Sequence, residues 1–510
     1  MTRSEMLRVA GLVTSAQALY HDDPTAVAEL DGYAVRLREP LRLAVAGMVK
    51  AGKSTLLNAI IGEQIAPTDA GECTRTITWY RHGASPRITV HLADGTTWSM
   101  PIHRVRGRLV LDLGPWTADD VAWIDVEWPA EALRSLILID TPGVASLSSD
   151  VSARSSAFLF PDDAPPAADA IVYLLRYMHA SDLGFLESFR DTAAGASETV
   201  NAVAVLSRAD EIGSGRIDSL LSAARIAERY RGDGELRALA LDVLPVAGLL
   251  AEAGTTVREH EFDAFCALAD LAHEERERLL ISVDRFTAPG MRAGLDHAER
   301  QELLGRFGIF GVRLGAALVR AGAASASELA ERMVQQSGLI DLERFIDAQF
   351  RSRIAVLKCR AVLDGLQRLT ASRSRPGDDV LRGGIERALA GMHELRELAL
   401  IAALRTATSS MPAEEAAEAE RLVGGFGVDP LVRLGLPEGS DAAAVRGRIT
   451  VATARWRALA ASPVASHAVA DHCGVVVRSV EALASDLRAR SRARPATDVV
   501  AAGRPLQGPG

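Results

Sequence analysis

The sequence predicts an α/β domain with a largely parallel β-sheet, followed by a long all-α helical region. Two patterns lead to this fold class. Between residues 41 and 250, short apolar runs alternate with helical ones, which is typical of a parallel sheet covered by helices on both faces. After residue 251 the strand-like runs cease, and apolar residues recur with the 3.6-residue period of amphipathic helices.

Eight apolar runs are the predicted strands of the first region. Two predicted helices within residues 4–38, separated by Asp22-Asp23-Pro24, precede the first strand at residues 41–46. The remaining predicted strands cover residues 76–81, 87–92, 122–128, 136–140, 170–175, 200–207 and 241–246.

Two long helices are predicted in the second region. The first has about 30 residues, and its apolar face contains Leu342, Ile346, Phe350, Ile354, Leu357 and Ala361. The second has an apolar face of Leu381, Ile385, Ala388, Met392, Leu395 and Ala399. Short connections with proline at residues 372–377 and 409–412 favour a helical bundle.

The composition argues against a nucleic-acid-binding or membrane-spanning protein. The formal net charge is −9, whereas a general nucleic-acid binder carries a basic face. No stretch reaches about 18 uninterrupted apolar residues, so no transmembrane helix is expected. Four widely spaced cysteines without a CxxC pair, and the lack of a signal-peptide pattern, favour a reducing, cytoplasmic location.

A phosphate-binding motif follows the first predicted strand. Residues 47–54 have the sequence GMVKAGKS, which fits the P-loop pattern GxxxxGK[ST] between a strand and a helix. In a P-loop, backbone N–H groups surround the phosphates, the lysine contacts the β- and γ-phosphates, and the hydroxyl ligates Mg²⁺. The predicted nucleotide-binding residues here are Gly47, Ala51, Gly52, Lys53, Ser54 and Thr55.

A second motif, DTPG at residues 140–143, ends the predicted strand 136–140. Asp140 is predicted to hold Mg²⁺ through water, and the N–H of Gly143 is predicted to face a γ-phosphate. The alternative is an ordinary Pro-Gly turn.

A third motif points to the base. Ser207, Arg208 and Asp210 follow the strand 200–207, where GTPases carry [NT]KxD. A carboxylate at Asp210 can accept hydrogen bonds from guanine N1 and the exocyclic amine, which adenine does not offer. Asp210 is therefore predicted to select GTP, although Ser207 and Arg208 depart from the common pattern and a strand followed by a helix cap is the alternative.

A switch segment is predicted between the P-loop and DTPG. A switch needs a threonine that completes the Mg²⁺ coordination and whose backbone meets the γ-phosphate. Thr74 is the best candidate and Thr76 the second. The metal ligands predicted overall are Ser54, Thr74 and Asp140. No glutamine follows Gly143, because Val144 occupies that position.

Together these motifs resemble the bacterial dynamin-like proteins. Residues 47–54, Thr74-Arg75, 140–143 and 207–210 carry the resemblance, with the helical second half. More narrowly, the switch segment PTDAGECTRT and the run LLGRFG from residue 303 are similar to the smaller member of the mycobacterial isoniazid-inducible dynamin-like pair.

The resemblance implies a GTPase that self-associates through its nucleotide domain and remodels membranes. It implies GTP and Mg²⁺ as cofactors, and as partners a second dynamin-like protein and peripheral membrane lipid on the inner face of the plasma membrane. The domains expected are N-terminal neck helices at residues 1–39, a GTPase domain at 40–250, a helical domain at 251–372, a helical trunk at 373–487 and a disordered tail at 488–510.

Lys50, inside the P-loop, is the candidate source of a catalytic cation. A well-placed cation raises the rate of phosphoryl transfer by about 10³–10⁵. At this position dynamins hold a residue that helps to retain a monovalent cation, and the related guanylate-binding proteins hold an arginine that acts as an internal finger. Lys50 either supplies the cation itself or is a solvated surface lysine. The predicted catalytic residues are thus Lys50, Lys53, Thr74 and Gly143.

Two segments are candidates for lipid contact. The apolar, glycine-rich residues 307–315 either pack within the protein or insert into lipid. The arginines of the tail, at positions 488–494, either meet anionic lipid or are solvated. Three functions remain open from the sequence: a membrane-remodelling GTPase, a GTP-binding scaffold partner with little hydrolysis of its own, and a ribosome- or RNA-associated GTPase, which the acidic balance disfavours.

Overall fold

The chain folds into two compact units, residues Met1–Ala407 and Thr408–Gly510. The computed structural model describes residues 3–68, 76–105, 107–143, 167–193, 201–289, 294–406 and 410–493. The predicted switch residues Thr74 and Arg75, Val144 and the tail arginines beyond position 493 lie outside the described residues.

A mixed sheet, largely parallel, forms the centre of the first unit and confirms the predicted fold class. Its order is β11-β10-β9-β1-β8-β2-β7-β3-β4, with β5 and β6 as a separate hairpin. The strands are β1 Leu41–Gly47, β2 Thr78–His82, β3 Arg87–Leu92, β4 Thr97–Met100, β5 His103–Val105, β6 Arg108–Val110, β7 Val121–Trp128, β8 Leu136–Asp140, β9 Ala170–Leu175, β10 Ala202–Ser207 and β11 Val243–Val246.

The parallel half of the sheet positions the site. Strands β11, β10, β9, β1 and β8 run in one direction, and β2 pairs antiparallel with β8. Every residue of β9 and β10 is buried, which is why these strands are continuous apolar runs in the sequence. The carboxyl ends of β1, β8, β9 and β10 therefore meet at one edge, where open α/β sheets bind their ligands.

Sixteen helices of the first unit lie in the described residues. In chain order they are α1 Arg3–Leu19, α2 Pro24–Arg36, α3 Lys53–Ile61, α4 Ala180–Ala193, α5 Ser219–Arg231, α6 Gly234–Leu239, α7 Gly248–Gly254, α8 Glu259–Asp270, α9 His273–Leu279, α10 Val283–Phe286, α11 His297–Arg320, α12 Ala326–Gln336, α13 Leu339–Phe345, α14 Ile354–Ser372, α15 Asp378–Gly391 and α16 His393–Arg405.

The two predicted N-terminal helices are confirmed as α1 and α2. The break between them forms because Asp23 caps α2, accepting hydrogen bonds from the N–H groups of Thr25 and Ala26, with Pro24 in the first turn. Both helices pack against the later helices of the unit. A Cβ on Gly365 of α14 would lie 2.4 Å from the Tyr33 ring, so the close approach of α2 to α14 depends on that glycine.

Lys358, on α14, joins the helices to the first strand of the sheet. Its side chain is fully buried, at 1% exposure. Its Nζ donates to the backbone oxygens of Arg36 and Pro40, both at 2.8 Å, and to that of Glu39. These carbonyls belong to the last residue of α2 and to two residues just after it, where no intrahelical donor remains. Burial lowers the pKa of Lys358 to about 8.

We expect Lys358→Met to destabilise the protein. Three carbonyl groups lose their donor, and a buried unpaired polar group costs about 1–3 kcal/mol, a loss that removal of the buried charge offsets in part. The midpoint of thermal unfolding measures the effect. Arg225→Met, which changes an exposed residue of α5, is the control and should leave the midpoint unchanged. Equal midpoints for the two variants would contradict this account of Lys358.

The two long predicted helices are each interrupted. The first runs from α13 into α14, but a π-helical turn at Ile346–Phe350 and a short 3₁₀ turn separate them. The prediction of one helix across residues 381–399 is wrong. Met392 has an extended backbone (φ −82°, ψ 93°), so α15 ends before it and α16 begins after it. The apolar period continues across the break, which is why the sequence pattern does not reveal it.

Residues 307–315 pack inside the first unit, as the packing alternative predicts. Phe307 and Val312 are fully buried. A Cβ on Gly315 would lie 2.4 Å from the Phe265 ring of α8, so α11 approaches α8 closely at that glycine. Gly308 (φ 63°) breaks the helical geometry of α11. Gly315 thus allows close helix packing, and Gly308 allows a kink in α11.

The second unit is helical in its described part. Its helices are α17 Ala413–Leu422, α18 Pro430–Leu434, α19 Ala442–Ala460 and α20 His467–Ala493. Trp456 of α19 is fully buried, and so are Val476 and Val480 of α20. Arg455 of α19 forms an ion pair with Glu418 of α17 at 2.6 Å.

Candidate nucleotide site

The P-loop turns from β1 into α3 through three residues with left-handed backbone angles. Gly47, Lys50 and Gly52 have φ values of 144°, 63° and 95°. A Cβ on Gly47 would lie 2.3 Å from the carbonyl oxygen of Leu174 in β9, so glycine is required there. Since α3 begins at Lys53, the N–H groups of its first turn have no intrahelical acceptor and can bind an anion.

The Lys53 side chain folds back over the loop. Its Nζ donates to the backbone oxygens of Gly47 and Met48, both at 3.2 Å. Burial lowers the pKa of Lys53, and the charge of Asp140 acts in the opposite direction. A phosphate would offer this ammonium stronger, charge-assisted hydrogen bonds than the two carbonyls do.

Ser54 and Asp140 form a site with the chemistry of a magnesium centre. The Ser54 hydroxyl donates to Asp140 Oδ2 at 3.2 Å. Asp140 Oδ1 is buried and has no hydrogen-bond partner among the described residues. Burial raises the pKa of Asp140 to about 6, although Lys53, Ser54 and the Thr141 N–H favour the charged form. A hydroxyl and a carboxylate with an unused oxygen fit Mg²⁺, which prefers oxygen ligands.

We expect Mg²⁺-dependent nucleotide affinity to weaken below pH 6. A proton on Asp140 competes with the cation, so the ratio of nucleotide affinities with and without Mg²⁺ should fall about tenfold per pH unit below that pKa. The terminal phosphate of the nucleotide also takes up a proton in this range and then binds Mg²⁺ less well, so the comparison with Asp140→Asn isolates the Asp140 carboxyl. In that variant the ratio should be small and should fall less steeply with decreasing pH than in the wild type. A wild-type ratio that stays constant from pH 7 to pH 5 would contradict the expectation.

The same raised pKa has a consequence for the nucleotide-free protein. The folded state binds the Asp140 proton more tightly than the unfolded chain does. The contribution of this carboxyl to the free energy of unfolding therefore declines as the pH rises from its ordinary pKa to about 6. A bound cation would favour the charged form of this carboxyl and so oppose the effect of burial.

The DTPG segment lies directly against the P-loop. The Thr141 hydroxyl donates to the backbone oxygen of Val45 at 3.0 Å. A Cβ on Gly143 would lie 2.4 Å from Val49 Cγ2 and 2.9 Å from Val49 Cα. Any side chain at position 143 would displace the loop, so Gly143 holds DTPG and the P-loop in contact. An isolated Pro-Gly turn does not need this contact.

A cavity of about 140 Å³ opens beside the start of α3. It lies between the P-loop and the ends of β9, β10 and β11. Asp210 is 6% exposed, and burial raises its pKa to about 6. The lining residues are Ala51, Gly52, Thr55, Leu56, Leu174, Val205, Ser207, Arg208, Asp210, Glu211, Val246, Gly248 and Leu249.

Ser207 and Arg208, the two departures from the GTPase pattern, both bind backbone oxygens. The Ser207 hydroxyl donates to Leu175 O at 3.2 Å. Arg208 Nη2 donates to Lys50 O at 2.8 Å, and Nη1 donates to Glu211 Oε1 at 2.7 Å. The structure thus ties the segment after β10 to β9 and to the P-loop.

The structure gathers most of the predicted residues at one edge of the sheet. Gly47, Lys53, Ser54 and Asp140 lie together, and Ala51, Gly52, Thr55, Ser207, Arg208 and Asp210 line the adjoining cavity. Lys50 is exposed, and its ammonium makes no ion pair within the part of the chain that the structure describes. Thr76 is buried, two residues before β2.

Sequence reasoning missed the wall of the cavity after β11. Val246 ends β11, Gly248 and Leu249 follow it, and all three line the cavity; Glu211, which follows β10, lines it as well. The position of these residues after a predicted parallel strand was the sequence signal that could have found them. Because β11 is parallel to β10, the residues that follow it must reach the same edge as Asp210.

Comparison with known proteins identifies the class to which this fold and site belong. Residues 43–184 match the model of the dynamin family. A curated relative is 38% identical over 462 residues, which cover 91% of this chain and 93% of the relative. The chain therefore belongs to the dynamin family. That relative is the isoniazid-induced protein IniC of Mycobacterium tuberculosis.

Two further matches have lower sequence identity. A bacterial dynamin-like protein of Nostoc punctiforme is 30% identical over 162 residues, 29% of this chain and 22% of that protein. A solved structure described as an oligomerised bacterial dynamin pair that senses and tethers membranes aligns with 96% of this chain and 75% of its own. Its TM-score is 0.35 at 12% sequence identity. The expected bacterial dynamin-like relationship is confirmed.

No helix among the described residues has the length and apolar character needed to cross a bilayer.

Proposed function

We propose that the protein is a dynamin-like GTPase that binds GTP with Mg²⁺ and couples hydrolysis to self-association and membrane remodelling. The observation that carries the proposal is the convergence of Lys53, Ser54 and Asp140 beside a cavity walled by Asp210. The first three offer a cation and two oxygen ligands to a phosphate and its metal. Asp210 offers acceptors that guanine can pair with and adenine cannot.

The roles of the individual residues belong to this proposal. Lys53 contacts the β- and γ-phosphates, Ser54 and Asp140 hold Mg²⁺, and Gly143 presents its N–H to the γ-phosphate. Thr74 would complete the metal coordination from the switch segment. The proposed domain roles follow the sequence: neck helices at 1–39, the GTPase domain at 40–250, and the helical domain, trunk and tail after residue 251.

One experiment tests the proposal as a whole. Phosphate release from GTP is measured against protein concentration, with and without anionic liposomes, for the wild type and for Lys53→Ala. Turnover per subunit that rises with concentration or lipid, and that Lys53→Ala abolishes, supports a GTPase that self-associates on membranes. Turnover without Lys53 dependence contradicts the proposed site.

A scaffold that binds GTP but hydrolyses it slowly is the second candidate. The exposed Lys50 favours it, because no described residue forms an ion pair with its ammonium. In this form the protein would act with a second dynamin-like protein that supplies hydrolysis. Nucleotide binding that depends on Lys53, with no turnover at any concentration, distinguishes the scaffold from the enzyme.

Lys50→Ala tests whether Lys50 supplies the catalytic cation. We expect kcat to fall about 10²-fold, less than for an arginine finger because lysine gives a single point charge, with GTP affinity unchanged. Single-turnover hydrolysis and equilibrium nucleotide binding separate the two quantities. Wild-type turnover in this variant would make Lys50 a solvated surface residue.

A further inference from the structure

Lys50 has a backbone conformation that is unusual for a lysine. Its φ of 63° lies in the left-handed region, which is uncommon for residues other than glycine. Such a conformation persists where surrounding contacts impose it, often at functional sites. The contact at Lys50 is the 2.8 Å hydrogen bond that its carbonyl accepts from Arg208 Nη2.

Arg208 is itself held by an ion pair with Glu211. Its other terminal nitrogen, Nη1, donates to Glu211 Oε1 at 2.7 Å, and Glu211 Oε2 accepts from Arg176 Nη2 at 2.8 Å. These residues follow three neighbouring strands: Lys50 follows β1, Arg176 follows β9, and Arg208 and Glu211 follow β10. A line of hydrogen bonds therefore crosses the edge of the sheet and ends on the P-loop.

The same arginine forms part of the base cavity. Arg208 and Glu211 line the cavity together with Asp210. A base that enters the cavity must contact the Arg208 guanidinium or restrict its movement. The same guanidinium donates a hydrogen bond to the carbonyl of Lys50. Occupation of the base cavity and the conformation of the P-loop at Lys50 thus share one side chain.

We propose that Arg208 is a positioning residue that sets the orientation of Lys50 for hydrolysis and couples it to occupation of the base cavity. The inference rests on the proposed function, in which Lys50 supplies a cation. It also explains why arginine replaces the lysine of the common pattern. The two terminal nitrogens of a guanidinium are separate donors on a planar group, and here Nη2 binds the Lys50 carbonyl while Nη1 binds the Glu211 carboxylate.

Arg208→Lys is the informative substitution. It keeps the positive charge and the apolar part of the side chain but removes the two separate terminal nitrogens of the guanidinium. The residue is about one-third exposed on its side chain, so folding should be preserved. We expect kcat to fall about 10- to 100-fold, the usual effect of a misplaced catalytic group, while GTP affinity changes less than threefold. Arg216→Lys, which changes an exposed arginine that pairs with Asp218 among the described residues, is the matched control and should leave both quantities unchanged.

A double-mutant cycle with Lys50→Ala decides whether Arg208 acts through Lys50. If it does, Arg208→Lys should lower kcat no further in the Lys50→Ala background, within about the twofold precision of such cycles. The inference is overturned if Arg208→Lys lowers kcat by the same factor in both backgrounds, if it changes affinity alone, or if Lys50→Ala has no effect. Glu211→Ala removes the carboxylate that holds the Arg208 guanidinium and should lower kcat in the same way. It replaces Arg208→Lys as the test if that variant unfolds.

The outcomes separate this inference from the proposed function. Absence of Lys53-dependent turnover in the wild type overturns both. Lys53-dependent turnover combined with an additive cycle overturns the positioning role alone and leaves the GTPase intact.

Discussion

Lys53→Ala should abolish turnover and most nucleotide binding. We expect GTP affinity to fall at least about 10²-fold and turnover at least about 10³-fold, since the ammonium is the charge that meets both terminal phosphates in a P-loop site. The structure gives the reason for a lysine here. Nζ already lies between two backbone oxygens at 3.2 Å, in a space that suits a compact ammonium. Calorimetric binding of GTP and single-turnover hydrolysis measure the two effects.

Two controls make the Lys53 result interpretable. Lys53→Arg keeps the charge but brings a planar guanidinium, and we expect it not to rescue activity. In a chain with three lysines and 54 arginines, that failure would explain why this position is not arginine. Lys50→Ala should still bind GTP normally, which shows that the loop itself is intact. A Lys53→Ala protein that binds GTP like the wild type would mean that the nucleotide lies elsewhere.

The strands of the parallel half could be predicted because burial determines their composition. The predicted bounds 136–140 and 170–175 coincide with β8 and β9, where nearly all residues are apolar and buried. By contrast β5 is exposed along its whole length, and β4 has one buried residue. Such strands have no apolar signature, since their pairing is set by the neighbouring chain, and the sequence analysis missed them.

Helix interruptions escaped prediction for a related reason. Apolar periodicity reports which face of a helix is buried, and that face continues through a break. Met392 is buried and fits the period, although its backbone is extended. The kink at Gly308 likewise lies within an apolar run. The local backbone angle, which tertiary packing fixes, has no separate sequence signal at these positions.

In the candidate site, too, some features could be predicted from the sequence and others could not. The P-loop and Asp140 were predictable, because each motif keeps its chemistry within a few consecutive residues. The link from Arg208 to the carbonyl of Lys50 joins residues that are 158 positions apart, and it depends on the order of β1, β9 and β10 in the sheet. Contacts of that kind follow from topology, which a single sequence specifies only indirectly.

Asp210→Asn should exchange the base preference of the site. Guanine presents two donors, N1–H and the exocyclic amine, to a carboxylate that accepts both. An asparagine accepts only one and directs its own donor at the other. Xanthine has a carbonyl in place of the exocyclic amine and can accept from that donor. We expect GTP affinity to fall and xanthosine triphosphate affinity to rise, a combined change of about 10³- to 10⁴-fold.

The cavity itself supplies the control for this exchange. Glu211 lines the same cavity as Asp210, but its carboxylate is occupied by Arg208 and Arg176. Glu211→Gln should therefore leave the ratio of GTP to xanthosine triphosphate affinity unchanged. Asp210 is buried and its pKa is raised to about 6, so the neutral asparagine should be tolerated without loss of stability. If Asp210→Asn binds GTP as tightly as the wild type, base selection depends on other residues, and the carboxylate at position 210 belongs to the fold rather than to the site.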